Sequence, residues 1–415
     1  VHALGTVPLY AVAPFVLLLV CIAVLPLAAP HAWEDNRVKA AIAGTLSAPI
    51  VVWLLLTDPG ALGHTLVEYA SFLALLGALY VIAGGIYVGG DLAAHPRTNT
   101  TILGVGAVLA NVVGTTGASM VLIRLLLRTN QQRTKRAHLP LFFILIVSNV
   151  GGLLTPLGDP PLFLGYLRGV PFSWTLRLLP MWAVAVGYLL ALFYAVDRLA
   201  YRHEASLDVE RDERERRPLY VEGRIHALLL GGVVAAVFAP TPWREGLMVA
   251  LALASLYLGT PEQRAKNGFG FGPIVEVAVL FAGIFVTMVP ALVLLGQHGG
   301  ALGLDAPWQF FLATGVLSSV LDNAPTYVTF LAAAQSLQLT SEVVGVPHLH
   351  LAAISLGAVL MGANTYIGNG PNFMVKAIAE AAGYETPSFL GYALRAVAIM
   401  APLYLALLSY FLIAG

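Results

Sequence analysis

The chain has 415 residues, 22 Lys and Arg against 22 Asp and Glu, a formal net charge of zero, and 58% hydrophobic against 11% charged residues. So few charges cannot coat a water-soluble surface of this size, and the neutral balance offers nothing to nucleic acid, so the composition places the chain in a bilayer. Continuous apolar runs of about 17–25 residues fit membrane helices and not the roughly ten-residue alternation of barrel strands.

Taken in order, the chain starts at Val1 without Met, which predicts a processed or trimmed start. Residues 8–29 are too long for the apolar part of a signal peptide and form the first predicted span; its Cys21, the sole cysteine, reads as packing. Spans follow at 38–57 and 64–90, and then an apolar segment at 99–129 with Asn111, Gly114, Thr115 and Thr116 near its centre. Next come spans at 139–167 and 174–196 and a linker at 197–224. The linker's DVERDERERR run reads as a solvated connector or short surface helix with i,i+4 pairs and no functional role. The second half predicts spans at 225–240, 245–259, 273–296, 348–382 and 389–413, with an apolar segment at 308–337 answering 99–129.

Charge decides whether 99–129 and 308–337 cross the membrane. If both are re-entrant hairpins, the loops at 30–39, 91–98, 124–138, 197–224 and 258–272 share one face and hold most of the Lys and Arg, leaving Arg168, Arg177 and Arg244 opposite. A single crossing would strand Arg124, Arg128, Arg133, Lys135 and Arg136 on the wrong side, so the positive-inside rule predicts hairpins, cytoplasmic basic loops and both termini outside. The expected fold class is an all-α polytopic membrane protein, an inverted repeat of five spans plus one hairpin each. The expected location is a bacterial inner (plasma) membrane.

One phrase occurs twice. Thr155-Pro-Leu-Gly158-Asp159-Pro-Pro161 recurs as Thr365-Tyr-Ile-Gly368-Asn369-Gly-Pro371, and upstream Val108-Leu-Ala-Asn111 answers Val320-Leu-Asp322-Asn323. Gly and Pro inside apolar sequence predict helices broken at mid-membrane, where freed backbone groups need partners; paired breaks point to the binding site of a secondary transporter. Around the first break Ser148, Asn149, Thr155 and Asp159 supply oxygens beside Gly151, Gly152 and Gly158. Around the second, Asn364, Thr365, Asn369 and Asn372 do so beside Gly362 and Gly368. Such hard oxygen ligands suit a small alkali cation such as sodium, or a proton.

Of the acids, only Asp159 and Asp322 are expected to lie deep, their counterparts in the other half being Asn369 and Ala110. Two buried carboxylates without a basic neighbour predict a cation site that also takes a proton, with helix capping as the alternative duty of each. Glu68, Glu276, His348 and His350 are expected at the interface, and Lys376 with Glu380 as an i,i+4 contact. No GxSxG, HExxH or Walker A pattern occurs, so nothing supports a hydrolase or an ATP-driven pump, and no cofactor is expected beyond transported or coupling sodium and protons.

These motifs resemble the ion transporter superfamily: NhaD-type sodium/proton antiporters, arsenite-efflux and P-protein relatives, and citrate and dicarboxylate carriers. SNVGGLLTPLGDPPLFLG resembles the first broken-helix signature of the arsenite and P-protein branch, VLDNAPTYVTF its second hairpin, and GANTYIGNGPNFMVKAIAE its second broken helix. The resemblance implies a homodimer with an elevator motion. Its scaffold would be residues 1–98 and 225–306, its transport units 99–196 and 307–415, and 197–224 its cytoplasmic linker.

It also implies cation and substrate positions at Asn111, Thr115 and Thr116 with Ser148 to Thr155, and at Asn323 to Thr326 with Asn364 to Asn369. Dicarboxylate carriers carry Ser-Asn-Thr at both hairpin tips where this chain has Ala110-Asn111-Val112 and Asp322-Asn323-Ala324. NhaD-type antiporters have an Asp at both matching places but Thr-rich sequence where this chain has Pro160-Pro161. The leading expectation is sodium/proton exchange at Asp159 and Asp322, whose neutralisation would ease the passage of the moving unit. A cation-coupled citrate or dicarboxylate carrier is the alternative, and an arsenite-type efflux carrier the third.

Overall fold

The computed structural model describes residues 7–204, 216–339 and 342–414. Among these the chain is helical apart from one two-stranded sheet and short connections, and seven helices are long and apolar enough to cross a membrane. The chain is thus an integral membrane protein. Most of the mixed-charge linker run, residues 205–215, lies outside the described residues.

The first three spans are helices Ala13–Ala28, Asn36–Thr57 and Pro59–Ala83. Two are started by aspartates: Asp35 accepts from Arg37 N at 2.8 Å, and Asp58 from Ala61 N at 2.9 Å with Pro59 in the first turn. The third span is shorter than the 64–90 run predicts. It ends at Ala83, and strand β1, Tyr87–Asp91, follows it and pairs antiparallel with β2, Arg217–Glu222, in the linker. The mostly helical chain fits the expected all-α membrane class, and this short sheet between a span end and the linker is an addition to it. Gly90, at φ 99°, makes the bulge possible, since a Cβ there would meet Pro218 O at 2.4 Å.

Helix Pro96–Thr129 would be about 51 Å long if straight. It is not: the Asn99 and Asn130 side chains exchange two hydrogen bonds of 2.8 Å, so the segment doubles back. The turn is Gly114, at φ 77° and ψ 156°, a conformation that favours glycine. The equivalent pair in the second half is Pro307–Val320 and Asn323–Ser336, which turns at Leu321 and Asp322 and brings Phe310 within 6.4 Å of Phe330.

Two helices are interrupted where the Gly and Pro runs predict. The first is His138–Ile146, a short 3-10 turn at Val150–Leu154, then Pro160–Leu167; the second is His348–Met361, Gly362–Asn364, then Gly370–Ala381. At each break glycine crosses glycine. A Cβ on Gly158 would lie 2.1 Å from Gly152 O, and one on Gly368 would lie 2.5 Å from Gly362 O. Lipid supplies no hydrophobic drive between helices, so such close backbone approach is what holds them. Gly357 does the same for helix His348–Met361, its missing Cβ leaving room for Phe311 O.

The halves make matching bonds, in a register four residues from the one the sequence motifs suggest. Thr115 N donates to Gly158 O at 2.8 Å as Asn323 N donates to Gly368 O at 3.2 Å. Thr155 Oγ1 donates to Asn111 O as Thr365 Oγ1 donates to Ser319 O. Asn323 therefore answers Thr115, not Asn111; Asp322 answers Gly114, not Ala110; and Ser319 answers Asn111.

The expectation that only Asp159 and Asp322 lie deep does not hold, because a further acid is buried. Asp197, at the end of helix Leu179–Tyr201, is fully buried. Arg133 NH1 reaches its Oδ1 at 2.6 Å, His138 Nε2 reaches it at 2.9 Å, and Asn99 Nδ2 donates to Oδ2 at 2.9 Å. Glu68, expected as a simple interfacial acid, pairs with Arg168 at 3.0 Å, and Glu276 pairs with the buried Lys39 at 2.8 Å. His348 is half-buried, but His350 is buried, with Nε2 on Asp305 O at 2.9 Å.

Candidate functional site

Four elements converge on one carboxylate. Asp159 ends the first break and precedes Pro160, whose ring starts the next helix without an N–H to cap. The Asp159 side chain is therefore not used on its own helix, and it points into the protein, 1% exposed. Thr115, just past the first hairpin turn, donates from Oγ1 to Oδ1 at 3.0 Å. Asn369, at the second break, donates from Nδ2 to the same oxygen at 3.0 Å, and Asn323, just past the second hairpin turn, donates from Nδ2 to Oδ2 at 2.6 Å.

Each of these bonds to a carboxylate is worth about 1.5–3 kcal/mol. Removing an ion from water still costs several kcal/mol, and all three donors are neutral. Among the described residues no Lys or Arg bonds to Asp159. Asn323 adds an acceptor beside it, since its Oδ1 is buried and has no donor among the described residues. A carboxylate and an unused amide oxygen on adjoining positions form a donor set that fits a small, hard cation such as sodium.

Asp322 does something else. Its Oδ1 accepts from Ala324 N at 3.0 Å, capping helix Asn323–Ser336, and its backbone oxygen accepts from Thr326 Oγ1 at 2.9 Å. It is half-buried and stands next to Asn323, so its charge lies at the edge of the site while its side chain serves the cap.

The remaining residues singled out in the sequence hold the breaks. Asn111 Oδ1 accepts from Leu154 N at 2.8 Å while its Nδ2 donates to Ala107 O at 3.0 Å, so both ends of that amide are engaged. Thr155 and Thr365 bind the hairpin carbonyls named above, and Asn364 donates to Ser319 Oγ at 2.9 Å and accepts from Tyr404 OH at 2.7 Å. Gly151 O accepts from Trp182 Nε1 at 3.0 Å; Gly152 and Gly158, like Gly362 and Gly368, form the crossings. Thr116 is half-buried and Thr326 is buried against the cap.

Asn149 and Asn372 link the two breaks: Asn149 Nδ2 donates to Asn372 Oδ1 at 2.7 Å. Ser319 and Tyr404 are absent from the residues that the sequence picks out. A signal for Ser319 exists, since it precedes Asn323 by the same four residues that separate Asn111 from Thr115. Tyr404, on the last span, carries none.

A family model described as "Putative citrate transport" matches residues 4–412. No curated protein matches the chain. Because that one model runs through both hairpins, both breaks and the shared carboxylate, the chain belongs to this citrate-transport family of membrane transporters.

Proposed function

We propose that the protein is a cation-coupled secondary carrier of a small carboxylate anion of the citrate or dicarboxylate class, working by alternating access. The observation that carries this is the position of Asp159: one buried carboxylate at the first break, bonded by both hairpins and by the second break and by neutral donors alone among the described residues, in a chain of the citrate-transport family. In this reading a sodium ion or proton neutralises Asp159, with Asn323 Oδ1 as a further ligand. The anion lies beside the cation, drawn by it and by the N-terminal ends of helices Asn323–Ser336 and Gly370–Ala381. Asp322 adds field at the rim, and Asn111, Thr155, Asn364 and Thr365 keep the breaks in shape.

The first hairpin, with its feet bonded together at Asn99 and Asn130, and the second, with Phe310 beside Phe330, support a re-entrant reading of both, and the matching bonds of the two halves support an inverted repeat. On this reading the hairpins, broken helices and following spans move as a unit against the other spans in an elevator-type homodimer. Charge neutralisation at Asp159 removes the main cost of that movement through hydrocarbon.

A second reading, sodium/proton exchange with no organic substrate, is favoured by the lack of any basic side chain bonded to Asp159 among the described residues. Proteoliposomes separate the two. Labelled citrate or succinate accumulating under an imposed sodium or proton gradient supports the carrier. Sodium-induced proton efflux, read by a pH-sensitive dye with no organic anion present, supports exchange. Neither response in sealed, protein-containing vesicles would sink both.

A further inference from the structure

The two amides that face Asp159 are held differently. Asn369 Nδ2 donates to Asp159 Oδ1, and the same nitrogen also points at Ser148 O (3.2 Å) and Asn149 Oδ1 (3.1 Å). A backbone carbonyl only accepts, so Ser148 O fixes which end of the Asn369 amide is the NH2. Asn149 is fixed in the same way, its Nδ2 donating to Ile144 O at 2.9 Å and to Asn372 Oδ1 at 2.7 Å. Asn372 is fixed twice over, its Nδ2 donating to Gly362 O and Thr365 O, both at 2.9 Å. All three amides are buried. Asn323 has no such restraint: its NH2 bonds only to Asp159, and its oxygen bonds to nothing.

We infer that Asn372 and Asn149 are positioning residues that lock the Asn369 amide as a donor to Asp159, leaving Asn323 as the one amide free to turn its oxygen to an arriving cation. The three amides run in series from the carbonyls of the second break, through the first break, to the acid. Cutting back Asn149 removes one of the two acceptors besides Asp159 that hold Asn369 as a donor, and cutting back Asn372 removes one of the two that hold Asn149, so in either variant Asn369 turns its own oxygen to the site more readily. The empty carboxylate loses a fixed donor, and the cation gains a ligand. The lock therefore weakens cation binding in the native protein, a useful property in a carrier that must also release its ion. This inference rests on the cation reading of Asp159.

The test is cation-dependent thermal stability of the full-length protein in detergent. Sodium chloride replaces choline chloride at constant ionic strength, with lithium and potassium in parallel. Asn372→Ala and Asn149→Ala should each lower the sodium concentration at half-maximal stabilisation by about tenfold, the worth of one hydrogen bond to a charged group. The double variant should shift no further than either single, because both cut the same series. Asn372→Ser, which can still accept from Asn149, should return the midpoint toward wild type. A purely structural role would lower the melting temperature and leave the midpoint alone.

An unchanged or raised midpoint, or additive shifts in the double variant, would overturn the inference. If Asn372→Ala does not fold, Asn149→Ala and Asn372→Ser carry the comparison. A wild-type protein that no cation stabilises would remove the cation reading itself, and the lock with it.

Discussion

Replacing Asp197 should damage the fold more than replacing almost any surface acid. Its carboxylate takes a 2.6 Å contact from Arg133, a 2.9 Å contact from His138 and a 2.9 Å bond from Asn99, and the Arg133 side chain is only 3% exposed. In Asp197→Ala the guanidinium stays buried without its main counter-charge, and breaking a buried pair in this way costs about 3–5 kcal/mol. Asp197→Asn preserves shape and one acceptor, so the loss should fall to about 1.5–3 kcal/mol, the scale of a charged hydrogen bond. Replacing both partners, as in Arg133→Met with Asp197→Leu, removes the charges together and should recover most of the stability. Glu204 tolerates the loss of Arg133, since Thr134 N and Oγ1 and Lys135 N also bind it. Graded SDS denaturation in mixed micelles, followed by tryptophan fluorescence, would rank the four proteins. An Asp197→Ala protein within about 1 kcal/mol of wild type, or a double variant worse than either single, would refute the reasoning.

Other changes test the site directly. Gly158→Ala and Gly368→Ala push a methyl into backbone carbonyls at 2.1 and 2.5 Å and should abolish cation-driven uptake and lower thermal stability, whereas Gly370→Ala, with open space around it, should keep wild-type stability. Wild-type uptake by either crossing variant would show that the breaks tolerate separation. Gly114→Ala places a side chain at φ 77° in a hairpin turn and should destabilise the protein by at least about 1 kcal/mol, measured by the same SDS titration; an effect below the error of that titration would contradict the turn as described. Asp159→Asn should reduce ion-driven uptake to background in proteoliposomes while the protein still melts cooperatively, since Asn stands at the matching position 369 in the same fold. Retained uptake would dismiss Asp159 as the coupling acid.

The breaks were legible because Gly and Pro act through local backbone chemistry, and that chemistry is written in the residues that carry it. The first helix stops before Val150 and the second before Gly362, where the carbonyl-rich phrases stand. The hairpin register was not legible. Gly114 and Asp322 solve the same turning problem by different means, one by a positive φ and the other by capping, so no shared letter marks their equivalence. Only the bonds to Gly158 and Gly368 reveal it. Asp197 escaped notice because it follows a long apolar run near the basic face, where a solvated acid is the ordinary reading; the partner that buries it, Arg133, is far away in sequence. The β1–β2 pair was hidden for a similar reason. Tyr87–Asp91 continues an apolar run without a polar boundary, and its partner sits at the end of a charged connector.

The bond pattern around Asp159 and Asn369 makes the cradle symmetric in shape but lopsided in charge. If the halves are a repeat, as proposed, the two matching seats are filled by an aspartate and by its uncharged isostere. A single monovalent guest balances the interior, whereas a divalent ion would leave one unit of positive charge for a co-travelling anion to cancel. In the proposed carrier, the number of charges moved per cycle and the need for a companion would then turn on a one-atom difference between positions 159 and 369.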